Sequence, residues 1–190
     1  MTFYKKRIEN NIIFFFIFFP LFISLSLKSH EIKPSIADFS INESSLTFEI
    51  RLNAELILSG IDASDIQNTD NSNLSYKYDD LRKLPDNDLK ENIMSNWDNI
   101  SQNIYIKLDG DVQELNLLSI EIINQRNYEV TRDTIISFHI PLDKKNTSFS
   151  FSMSKKFGSI ILREQNLNKN VDLLYTNYLN SGDASDLINL

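Results

Sequence analysis

Strict alternation of apolar and polar residues limits this chain more than any other feature. In "SLTFEIRL", Leu46, Phe48, Ile50 and Leu52 share one face, while Thr47, Glu49 and Arg51 take the other. A period of two is that of a strand, and one apolar face means a strand covered on one side. The pattern recurs. "PSIADFSIN" sets Ala37, Phe39 and Ile41 against Ile36, Asp38 and Ser40, after Pro34, which suits a strand start or an edge. "DTIISFHIPL" turns Ile136, Phe138, Ile140 and Leu142 inward, and "NTSFSFSMS" does so with Phe149, Phe151 and Met153. "NIYIKLDGDVQELNLLSIEII" reads as a hairpin, because Asp109-Gly110 accepts the positive φ of a tight turn. "GSIILRE" supplies a last short strand. About seven half-buried strands need two facing sheets, so the expected fold is mainly β, an immunoglobulin-like two-sheet β-sandwich.

One stretch, about 53–100, breaks the rhythm and predicts a helical insertion. "NAELILSGI" is a short helix ended by Gly60, and "IDASDIQNTDNSN" a polar loop. Beyond it Leu89, Ile93, Trp97 and Ile100 fall on one helical stripe, with Asp86 as the expected N-cap. Laid over an open end of the sandwich, that stripe would bury Trp97.

The N-terminus carries an address. Lys5, Lys6 and Arg7 precede the sixteen uncharged residues Ile12–Leu27. A spanning helix wants about 20 apolar residues, and this run contains a proline and two serines. It reads as a secretory leader over 1–29, with Ser29 at the cut; the alternative is an uncleaved anchor formed by 12–27. Either way, residues 30–190 are expected outside the cytoplasm, in the periplasm or an equivalent space, as one exported domain. Cleavage after Ser29 makes His30 the new N-terminus.

Charge then removes one class of partner. Of 19 basic and 26 acidic residues, four basic and one acidic fall within 1–29, leaving 15 and 25 and a net charge of −10. Nucleic acid requires a basic surface, and anionic lipid repels this one, so membrane contact is expected only through the anchor or a partner. With no cysteine, neither disulfides nor thiolate metal sites can form.

Several short motifs carry a resemblance. "HEIKPSIAD" runs from His30 to Asp38, "RLNAE" from Arg51 to Glu55, "GID" from Gly60 to Asp62, and "RDT" from Arg132 to Thr134. Leu162-Arg163 and "YTNYLNSGDAS", with Tyr175, Thr176, Tyr178, Leu179, Gly182 and Ser185, close the set; Asn166 replaces an expected glycine. Together they resemble the exported N-terminal part of the HupE/UreJ-type bacterial membrane proteins. The resemblance implies a non-catalytic accessory domain that works with a HupE/UreJ-like integral membrane protein in nickel or cobalt handling. The transmembrane bundle of that family has no counterpart in these residues, which leaves three expectations: the membrane half is a separate chain, the gene is split, or the exported domain works alone.

Few side chains suggest chemistry of their own. A processed His30 joins a free amine to an imidazole, a nitrogen pair suited to Cu(II) or Ni(II), and Glu31 could add an oxygen. His139 is the other histidine and could add a third nitrogen if the fold brought it to the terminus. The plainer reading makes these a solvated terminus and an exposed strand histidine. Asp79, Asp80, Asp86 and Asp88, and Asp62, Asp65 and Asp70, lack calcium-loop spacing and read as loop and cap residues. No nucleophile elbow, phosphate loop or zinc-protease motif occurs, and no enzyme is expected. Two other functions fit the same residues: a stand-alone Cu(II)- or Ni(II)-binding module built on His30, and a ligand-free interaction domain.

Overall fold

A computed structural model describes residues 31–123, 131–165 and 175–190. Two strands open it, β1 (Ser35–Asn42) and β2 (Ser45–Leu52). Four helices follow: α1 (Ala54–Ser59), α2 (Ser75–Arg82), α3 (Asp86–Ser95) and α4 (Trp97–Ser101). The remaining strands are β3 (Ile104–Leu108), β4 (Asp111–Val112), β5 (Asn116–Ile123), β6 (Asp133–Pro141), β7 (Ser148–Met153), β8 (Ile160–Glu164), β9 (Thr176–Leu179) and β10 (Ile188–Asn189). The fold is mainly β, as the alternation requires, with the helices inserted between β2 and β3.

Six strands form one sheet in the order β5-β6-β2-β1-β8-β9, and four form a second in the order β10-β7-β3-β4. Pairing is antiparallel except between β1 and β8. The alternating apolar faces meet in one core to which both sheets contribute. Phe48 lies at its centre, its ring 5.4 Å from Phe138 in its own sheet and 5.5 Å from Phe151 in the other. Phe39 meets Phe149 edge-on at 5.1 Å. Such offset and edge-to-face contacts add to the burial of area itself.

Three local expectations are corrected. The hairpin at Asp109-Gly110 exists, but its return strand β4 has only two residues. The chain then leaves that sheet, and β5 pairs with β6 in the other. Turn chemistry specifies the two residues of a turn, not the sheet that the next apolar run will join. The helical stripe is two helices, broken at Asn96, whose amide nitrogen donates to the Asn92 carbonyl at 2.8 Å. Leu89, Ile93 and Ile100 are buried, while Trp97 is only half-buried, its ring 6.2 Å from Phe138. Asp86 does not cap: Pro85 holds the N-cap position, and the Asp86 carboxylate is drawn to Arg132 at 3.1 Å. Other local readings agree. Asn53 caps α1 through its side chain, and Gly60 ends that helix at φ 81°. Thr176–Leu179, for which the sequence left helix and strand open, form the strand β9, with Tyr178 exposed.

The β3–β4 turn also supplies a pH-dependent clamp. Asp109 sits at φ 50°, and its exposed carboxylate accepts hydrogen bonds from Thr147 Oγ1 at 2.6 Å, Asn146 Nδ2 at 3.1 Å and Ser148 N at 3.1 Å. The Thr147 hydroxyl above all, then the Asn146 amide, hold its pKa down to about 2 from 3.8. A carboxylate depressed on folding stabilises above its unfolded pKa, and that share is lost as pH falls through the folded value. Asp109→Asn should therefore be less stable than the natural chain at about pH 6 and converge on it near about pH 2. Urea unfolding at the two pH values checks this; an unchanged gap would mean that charge plays no part.

Candidate functional site

The incoming chain is clamped before β1 starts. Glu31 forms a β-bridge with Asn68, Ile32 N donates to the Gln67 carbonyl at 3.0 Å, and Ser35 N donates to the Ser159 carbonyl at 3.0 Å. The loop that receives it is itself pinned. Asp62 accepts from both Ser64 N at 3.0 Å and Ser64 Oγ at 2.6 Å. The Ser64 hydroxyl is the main cause of Asp62's lowered pKa. Beside this junction opens a cleft of about 730 Å³, lined by Glu31, Asp65, Asn68, Ser159 and Tyr178 among others. Its lining holds two carboxylates and neither lysine nor arginine.

His30 lies outside the described residues; Glu31, the next residue, is exposed at the cleft. His139 is elsewhere. On β6 it pairs across β2 with Thr47, which pairs with Ser40 on β1. Ser40 is five residues beyond Ser35, about 16 Å along a strand at about 3.3 Å per residue, and Glu31 lies earlier still. The fold does not bring Glu31 and His139 together. His139 is half-buried on the face opposite Phe138, and its buried Nδ1 has no hydrogen-bond partner among the described residues. Among the described residues, no three His, Cys, Asp or Glu side chains gather closely enough to hold a metal ion. What the sequence did not reveal is Asp65 and Asn68 beside Glu31: they are more than thirty positions away, and no spacing rule links them.

The motif residues do come together. Arg132 is 6% exposed and Glu55 0% exposed. Arg132 Nε donates to Glu55 Oε1 at 2.8 Å, while its two terminal nitrogens donate to the Leu84 carbonyl at 2.7 Å, Asp86 Oδ1 at 3.1 Å and the Leu81 carbonyl at 3.0 Å. One guanidinium thus joins the start of β6 to α1, to the end of α2 and to the start of α3. Asn53, in the same motif as Glu55, donates through Nδ2 to the buried Tyr78 hydroxyl at 2.8 Å. Burial, above all, raises the Tyr78 pKa. Asp38 and Arg163 face each other across the parallel β1–β8 pair and make a two-pronged bond at 2.6 and 2.7 Å. The Asp38 hydrogen bonds raise the Arg163 pKa. Ser185 Oγ accepts from Phe151 N at 3.0 Å, tying the C-terminal segment to β7. These residues hold the fold.

Comparison with protein-family models and with curated proteins finds no match to this chain.

Proposed function

We propose that this chain is an exported, non-catalytic accessory domain related to the HupE/UreJ-type proteins, acting with an integral membrane partner to handle nickel or cobalt as cargo. One observation supports it most. The short motifs that carry the resemblance pair off in space, Glu55 with Arg132 across 77 positions and Asp38 with Arg163 across 125. The immunoglobulin-like form of the sandwich belongs to the same proposal. Two facing, mostly antiparallel sheets favour it, though a constant-type domain has four and three strands, and here the sheets have six and four. Among the described residues no helix is long and apolar enough to cross a membrane.

A second reading is favoured by the cleft. Glu31 opens into it with Asp65, and on this reading a processed His30 supplies amine and imidazole for Cu(II) or Ni(II) without any partner. Metal titration of the exported protein separates the readings. The amine's ordinary pKa is about 7.7–8.0 and the ring's about 6.5, so binding should weaken below about pH 6 as protons compete. His30→Ala should abolish tight Cu(II) binding. A form extended by residues before His30 keeps the ring but locks the amine in a peptide bond, and it should lose binding too. Equal affinity in the extended form would defeat the terminal chelate. Co-purification of a membrane protein with about six apolar segments, encoded beside this chain, supports the first reading; no metal and no such partner leaves a ligand-free interaction domain.

A further inference from the structure

Four parts of the chain build the cleft beside Glu31: the segment entering β1, the stretch from Ala63 to Asn71, the turn at Gly158 and Ser159 before β8, and the end of β9 with Ser181. Main-chain bonds lock them to one another, from Ile32 N to the Gln67 carbonyl, from Ser35 N to the Ser159 carbonyl and from Ala63 N to the Lys156 carbonyl, each at 3.0 Å. Gly158, at φ 81°, lets two walls meet, since a Cβ there would stand 3.3 Å from that of Ala63. Loops pinned in this way form the cleft before any ligand arrives, which lowers the ordering cost of binding. Its volume of about 730 Å³ lies within the range of about 300–1,000 Å³ that small-molecule sites occupy. Two kinds of surface meet in its lining. Apolar surface comes from Ile32 and from the ring of Tyr178, a residue 55% exposed. Polar surface comes from the Glu31 and Asp65 carboxylates and the Gln67 and Asn68 amides. Asn68 Oδ1 accepts from Asp70 N at 2.9 Å, which fixes the orientation of that amide.

We propose that this cleft binds a neutral saccharide, with one sugar ring laid against Tyr178 and its hydroxyls bonded to the surrounding amides and carboxylates. A sugar carries the same two surfaces as the cleft: ring C–H groups that pack on an aromatic face, and hydroxyls around the rim. A hydroxyl donates one hydrogen bond and accepts others. It can donate to Glu31 or Asp65, which as carboxylates only accept, and accept from the Gln67 or Asn68 amide, which also donates. Other ligand classes fit less well. Phosphates and carboxylates call for arginine or lysine, and neither lines the cleft. An organic cation satisfies carboxylates and ring but offers no acceptor to the amide N–H groups. An extended peptide pairs along a strand edge, and the edge strand here, β9, has only four residues. A wholly apolar molecule strips water from the carboxylates without replacing its hydrogen bonds. The proposal goes beyond the metal readings, since it requires neither His30 nor an ion.

The test uses the full chain, expressed with its leader, in buffer containing EDTA. Saturation-transfer NMR with maltose, cellobiose, lactose and chitobiose, each at millimolar concentration, should show transfer to the ring C–H protons of at least one. Tyr178→Ala should raise the dissociation constant of that sugar by about tenfold or more, through the lost stacking surface. Tyr178→Phe keeps the ring and should stay close to the natural chain, and Gln67→Ala should weaken binding severalfold. Tyr76→Ala, at a tyrosine 65% exposed on α2 and outside the cleft, should change nothing. Unchanged thermal melting shows that the variants fold. No transfer to any of these sugars overturns the proposal, and so does binding that Tyr178→Ala leaves intact. Binding of choline or of an unstructured peptide, with no sugar bound, assigns the cleft to that class and overturns it as well. Sugar binding that appears only with added Cu(II) or Ni(II) returns the cleft to a metal reading and overturns the metal-free site, whereas failure of the His30 chelate leaves it standing.

Discussion

Arg132→Met is expected to cost about 3–5 kcal/mol, because it leaves the Glu55 carboxylate buried without its cation. Glu55 has no exposed surface, and its Oε2 has no hydrogen-bond partner among the described residues. The loss spreads further, since the Leu81 and Leu84 carbonyls and Asp86 all bond to the same guanidinium. The double variant Arg132→Met/Glu55→Leu should recover much of the loss, because an apolar pair of similar volume avoids burying either charge. Chemical unfolding of the three chains measures this. A single-variant loss under about 1 kcal/mol would show that the network is dispensable.

Phe48→Ala should fall in the same range, about 3–5 kcal/mol, through lost burial and the cavity left behind. Its ring touches Phe138 and Phe151 nearly face to face and Phe149 edge-on, so it joins the two sheets. Phe138→Ala and Phe151→Ala, each fully buried, should cost similar amounts. Urea midpoints give the values. Losses under about 1 kcal/mol at Phe138 and Phe151 would contradict the strand faces described above.

These two predictions differ in how far they could be read from the chain. The faces of β1, β2, β6 and β7 were legible, because alternation records burial residue by residue. The C-terminal end of α1 was legible too, because Gly60 acts within a turn of itself. The three shortest strands, β4, β9 and β10, were not, since two to four residues are too few to show a period. The break at Asn96 was also hidden, as the stripe of Leu89, Ile93, Trp97 and Ile100 continues across it.

The candidate site was less legible. Glu31 was named from its place after His30, yet its neighbours Asp65 and Asn68 come from the inserted loop. His139 was assigned correctly to the face opposite Phe138, but strand register carries it away from Glu31. Asp86 was read as a cap because helix starts favour aspartate. Arg132, 46 positions on, takes its carboxylate instead.

By itself, then, the sequence determined which of the longer segments are strands or helices and which face of the longer strands is buried. Those properties arise between residues a few positions apart, where period, turn chemistry and composition act directly. Tertiary structure alone decided that β5 leaves its hairpin for the other sheet, that Glu55 meets Arg132 and Asp38 meets Arg163, and that Glu31 shares a cleft with Asp65. Such choices depend on how whole faces pack and on which buried charge needs a partner, and no local pattern carries that information.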